Sequence, residues 1–129
     1  MNRPYIEIMR EDTKMSRAAF SRKYKIPVRT LEAWASGDRE APEYVIDLLG
    51  RAVYSDITGR RPIFYVIAIG DHDEWNEGHF ESYIEAVKTA RENLEKTTVK
   101  NLKVEIRLYV EDVEKGDCEN FDCDLVSFE

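Results

Sequence analysis

Between Thr13 and Leu31 the chain carries Lys14, Arg17, Arg22, Lys23, Lys25 and Arg29, with no acidic residue among them. Ammonium and guanidinium groups gathered this way neutralise phosphates, and guanidinium adds a planar fork that matches paired acceptors. The plainer reading of any such run is a solvated face. A second cluster, Asp71, His72, Asp73, Glu74, Glu77 and His79, falls among glycines at Gly70 and Gly78. Carboxylates and imidazoles could converge there on a metal, but a solvated acidic loop explains them more simply. Cys118 and Cys123 lack the second pair that a zinc site wants and read as free thiols in a reducing cytosol. No Ser/His/Asp set, phosphate loop or helix-borne metal motif is present, so catalysis is unsupported. No cofactor or metal is expected.

The elements that must position these groups follow from spacing. Pro4 opens a first helix continued by Tyr5, Ile8, Met9 and Asp12. Ser16 caps a second helix over about 17–24. Lys25-Ile26-Pro27 makes the turn, because the residue before proline is driven out of the helical region. A third helix runs from about Val28 to Ala35 and stops at Ser36-Gly37. Met15, Ala19, Phe20, Tyr24, Ile26, Val28, Leu31 and Trp34 have the spacing that locks two short helices into one core, with Phe20 and Trp34 as core rather than readout. A fourth helix is expected at about 42–55, with Val45, Leu48, Leu49, Ala52 and Val53 as its apolar stripe.

Residues 56–62, polar and containing Gly59 and Pro62, form the expected linker. Beyond it the period changes. Ile63 to Ile69 is an unbroken apolar run, a strand covered on both faces. Gly70 to Gly78 reads as an acidic loop and His79 to about Lys96 as a helix. Leu102 to Val110 alternates as a half-exposed strand, and a turn near Lys115-Gly116-Asp117 leads to a last strand at about Asp122–Phe128. The expected fold class is α+β: an all-helical unit over 1–55, then a small βαββ unit over 63–129.

The net charge of -7 is unevenly spread. Residues 1–61 hold 12 basic and 9 acidic side chains, net +3, whereas residues 62–129 hold 7 and 17, net -10. Such asymmetry assigns separate work to the two parts. No apolar run is long enough for a bilayer and no secretory pattern opens the chain, which leads to the expectation of a soluble cytoplasmic protein without membrane contact.

Residues 6–42 resemble the Cro/C1-type helix-turn-helix domain of phage repressors and related bacterial regulators, the XRE-like family. The likeness rests on Arg10, Met15-Ser16, Phe20, Ile26, Thr30-Leu31, Trp34, Gly37, Arg39 and Pro42, and it covers about a third of the chain. Measured against the family's pattern, the chain has Arg17, Ser21, Lys25 and Ala35 where the family usually has Gln, a small residue, Gly and an acid; Ser21 is still small enough for the close approach of the two helices. If position 25 must take a positive φ, a side chain there costs about 1 kcal/mol relative to Gly.

The resemblance implies a third helix lying in the major groove of double-stranded DNA. Val28, Arg29, Glu32 and Ala33 would then meet base edges: Arg29 a guanine, Glu32 a cytosine amine, Val28 a thymine methyl. Lys14, Arg17, Arg22, Lys25, Ser36 and Arg39 would hold phosphates and fix register. The expected function is sequence-specific operator binding by a transcriptional repressor acting as a homodimer. An edge strand such as Leu102–Val110 could continue a sheet across the two-fold axis. The rival expectation is a protein-interaction module of antitoxin-like or phage-encoded inhibitor type, whose acidic half binds a basic partner.

Overall fold

A computed structural model of the chain describes residues 4–112, 117–121 and 127–128. Four helices come first: α1 (Tyr5–Thr13), α2 (Arg17–Tyr24), α3 (Val28–Ser36) and α4 (Glu43–Thr58). Then follow β1 (Pro62–Ile69), β2 (Glu74–Phe80), α5 (Tyr83–Lys96), β3 (Lys103–Asp112), β4 (Asp117–Phe121) and β5 (Ser127–Phe128). The α+β class expected from the sequence is the one observed.

Local chemistry sets the helix ends. The Ser16 hydroxyl accepts from the Ala19 N–H at the start of α2, and Ser82 does the same for Glu85 at the start of α5. Lys14, Lys25 and Gly37 follow α1, α2 and α3 in the left-handed conformation. The side chain at Lys25 therefore sits where the backbone favours glycine, with φ at 59°.

All strand pairs are antiparallel. The order is β2-β1-β3-β4, and β5 also pairs with β3. The acidic segment expected as a loop is largely strand: Glu74 to Phe80 pairs with β1 from Ile69 back to Phe64, with an irregularity between Val66 and Ile67. Most β2 side chains are exposed, so backbone pairing rather than an apolar face makes it a strand. The helix expected from His79 accordingly begins at Tyr83. β3 is an interior strand, flanked by β1 on one side and by β4 and β5 on the other. Leu102–Val110 is thus no free edge, and the sheet continuation expected there is ruled out. Of the final strand expected at Asp122–Phe128, the described residues are Ser127–Phe128, which form β5. The turn over 115–116, residues 122–126, and the side chains of Cys118 and Cys123 lie outside the described residues.

One cluster of buried side chains runs from Ile6, Met9, Phe20 and Leu31 through Leu49, Val53 and Tyr54 to Phe64, Tyr83, Val104 and Leu108. Its joint is a trio of rings. Tyr54 meets Phe64 edge-on at 5.7 Å and stacks with Tyr83 at 6.1 Å, and Phe64 meets Tyr83 at 5.4 Å. Facing α5 and β1 at once turns α4 from its expected orientation: Ile46, Leu49, Gly50, Val53 and Tyr54 are buried, whereas Leu48 and Ala52 point outward. α4 also runs on through Asp56, Ile57 and Thr58, so the expected linker is its last turn and a short bend at Gly59. Asp47 of α4 fastens α5, accepting from the Ser82 hydroxyl at 2.7 Å and the Ile84 N–H at 3.2 Å.

Candidate nucleic-acid interface

α3 buries Leu31 and half-buries Trp34 against the core, which leaves the opposite side of the helix outward. Val28, Arg29 and Glu32 lie on that outward side and are exposed, with Val28 at 39 %; Ala33 is half-buried. Pro27 precedes the helix, offers no side-chain cap, and the first turn holds no acid. The leading N–H groups and the positive end of the helix dipole therefore face solvent next to Arg29.

The cations expected at phosphates are all exposed: Lys14, Arg17, Arg22, Lys25 and Arg39. Lys14 and Arg17 flank the Ser16 cap of α2, while Lys25 and Arg29 flank the Pro27 start of α3. Among the described residues no ion pair engages Lys14, Arg22, Lys25, Arg29 or Arg39. Two of the cations have internal work. Lys23 pairs with Asp56 at 3.6 Å and Arg17 with Glu7 at 3.3 Å. The Ser36 hydroxyl is likewise used locally, donating to the Ala33 carbonyl at 3.2 Å and accepting from the Asp38 N–H at 3.4 Å. Arg39 borders a cleft of about 400 Å³ that also touches Tyr5, Trp34 and Arg91.

Several residues that sequence reasoning passed over hold this surface in place. Glu7 accepts Arg10 at 2.9 Å as well as Arg17, and Arg10 donates to the Met15 carbonyl at 2.8 Å. α1 is thereby pinned to the start of α2. Burial acts to raise the Glu7 carboxyl, but hydrogen bonds and charge from Arg10 and Arg17 outweigh it and hold the group below its ordinary value. At the other end of α2, the Tyr24 hydroxyl donates to Asp56 at 2.9 Å. Burial and the Asp56 carboxylate both push that phenol above its usual range. Tyr54 reaches Asp12 at 2.6 Å and ties α4 to α1. The Glu7–Arg10 spacing of three residues was legible; the longer pairs were not, because they depend on how the helices pack.

The acidic cluster is divided by β2. Pairing puts Glu74 and His79 on the sheet face away from the helices, opposite Ile69 and Tyr65, while Asp71 to Asp73 form the preceding bend. Among the described residues no three His, Cys, Asp or Glu side chains gather as a metal would need, and no helix is long and apolar enough to cross a membrane.

Compared with protein-family models, curated proteins and solved structures, the chain matches none.

Proposed function

We propose that the chain is a sequence-specific DNA-binding transcriptional regulator, a repressor that occupies operator DNA as a homodimer in the cytoplasm. The observation that carries this reading is the outward surface of α2 and α3, where Lys14, Arg22, Lys25 and Arg29 are exposed without ion-pair partners among the described residues. In a protein of net charge -7, a cluster of uncompensated cations at one site is an electrostatic cost that a phosphate backbone removes. Lys14 and Lys25 add a second support. Both keep a side chain at a left-handed helix end, with φ of 64° and 59°, and strain retained at a position points to use of that side chain.

In this reading Arg29 grips a guanine, Val28 touches a thymine methyl, Glu32 accepts from cytosine, and Ala33 packs nearby. Lys14, Arg17, Arg22, Lys25, Ser36 and Arg39 serve phosphates. Arg17 must leave Glu7 or share it. Gel shifts with duplex DNA across a salt series test the proposal: binding should weaken steeply as salt rises, and no binding at low salt would sink it.

A second reading has its own observation. Asp71, Asp73 and Glu77 are exposed around β2, on the half of the chain with net charge -10. On that reading the acidic half holds a basic protein, as an antitoxin-like inhibitor does. A chain that ignores duplex DNA yet forms a stoichiometric, salt-sensitive complex with a basic polypeptide would favour it.

A further inference from the structure

Residues of α1, α3, α4 and α5 line a cleft of about 400 Å³ where the helical half meets the helix of the sheet half. That volume suits a small molecule and is too little for a folded partner. Its floor is apolar: Ile46 and Val87 are buried there, and Tyr5 and Trp34 are half-buried. Tyr5 comes from α1 and Trp34 from α3, so the packing of separate helices sets the walls.

The rim carries charge, and that charge does not cancel. Lys88 and Glu43 satisfy each other at 3.0 Å. Arg91 donates to the Tyr5 hydroxyl and lies over the Tyr5 ring at 5.4 Å and the Phe128 ring at 5.7 Å. Among the described residues neither Arg91 nor Arg39 has a carboxylate partner. Glu40 is the second carboxylate of the rim. Three cations against two carboxylates leave one positive charge, in a chain whose net charge is -7.

We propose that this cleft binds a small aromatic monocarboxylate. Tyr5 and Trp34 offer aromatic surface to its ring, and the planar fork of a guanidinium matches its carboxylate. Charge decides among the ligand classes. A cation finds the Tyr5 ring already covered by Arg91 and Glu43 already engaged by Lys88. A polyphosphate calls for more than one surplus cation, whereas a single carboxylate balances the rim. The cleft also touches α3 from behind, through Trp34, and Arg39 is one of the cations proposed for phosphates. A carboxylate that holds Arg39 withdraws it from the duplex. The inference thus deepens the repressor reading by naming its effector class; that coupling alone rests on the reading, and binding is tested without DNA.

Two-dimensional NMR of the full chain, titrated with 2-naphthoate, should move the Trp34 indole N–H resonance. That of Trp75, which lies on β2 and does not line the cleft, should stay in place. Saturation below about 1 mM is expected for a ligand of this size. The corresponding amide, 2-naphthamide, has the same shape without the charge and should bind at least tenfold more weakly. Arg91→Gln should weaken naphthoate binding at least tenfold while circular dichroism stays unchanged, and Arg39→Gln serves as the second variant if the first does not fold. An unmoved Trp34 resonance, equal binding of the amide, or binding indifferent to the folded variants overturns the proposal. So does a shift of both indoles without saturation, the mark of nonspecific contact. Bound naphthoate should also lower affinity for duplex DNA. A chain that saturates with naphthoate yet binds no duplex supports the site and removes the operator reading instead. Duplex affinity that is equal with and without bound naphthoate overturns the coupling.

Discussion

The backbone of Gly50 approaches Tyr83 so closely that a Cβ at position 50 would stand 2.7 Å from the Tyr83 Cβ. The near atom belongs to the root of a fully buried ring and cannot swing aside. Gly50→Ala should therefore destabilise the protein by about 1–3 kcal/mol, despite alanine's better helix propensity. Thermal or urea unfolding reads the change, and a gain in stability would contradict the close packing of α4 on α5.

The pair between Glu7 and Arg17 links stability to acid. Because the folded Glu7 carboxyl lies below its ordinary value, its stabilising effect is present above the unfolded value and is lost as pH falls through the folded one. Glu7→Gln should cost about 1 kcal/mol near neutrality and flatten the acid limb of the stability curve. The same variant frees Arg17 and should tighten binding to any duplex at low salt. A pH series of melting curves together with a filter-binding assay checks both arms.

Lys25 opposes two demands. Lys25→Gly relieves a left-handed side chain and should stabilise the fold by about 1 kcal/mol. It also removes a cation, so affinity for DNA should fall equally across sequences. Stability and affinity moving in opposite directions is the expected outcome of paired denaturation and gel-shift measurements.

The proposed base readers and phosphate holders should separate by the form of their defects. Arg29→Ala should relax preference at one base pair by about 1–3 kcal/mol. Lys14→Ala should weaken every duplex alike and lower the salt slope by about 1. Selection of bound duplexes from a random pool supplies the sequences for both comparisons.

The punctuation of the helical half was legible because single residues carry it: Ser16 as a cap, Pro27 as an opener, Gly37 as a stop. The exposure of Arg29 and Glu32 also follows from period alone, once Leu31 and Trp34 turn inward, whereas Val28, which the apolar spacing places with the core, is exposed. β2 escaped notice since strand formation there depends on the neighbouring backbone and leaves little trace in side-chain alternation. β3 looked like an edge because Lys103, Glu105 and Arg107 alternate with apolar residues, a pattern that describes one wet face and says nothing about lateral neighbours. The outward position of Leu48 has a related cause. A stripe of helical spacing can be drawn through Leu48 or through Ile46 and Gly50, and only the position of Tyr83 chooses between them.

The ring trio of Tyr54, Phe64 and Tyr83 leaves the two halves of the chain no slack. In the homodimer proposed above, each α3 would then be carried at a set reach from the symmetry axis. Operators with one base pair inserted at their midpoint should lose most of their affinity, since both ends can no longer be grasped together.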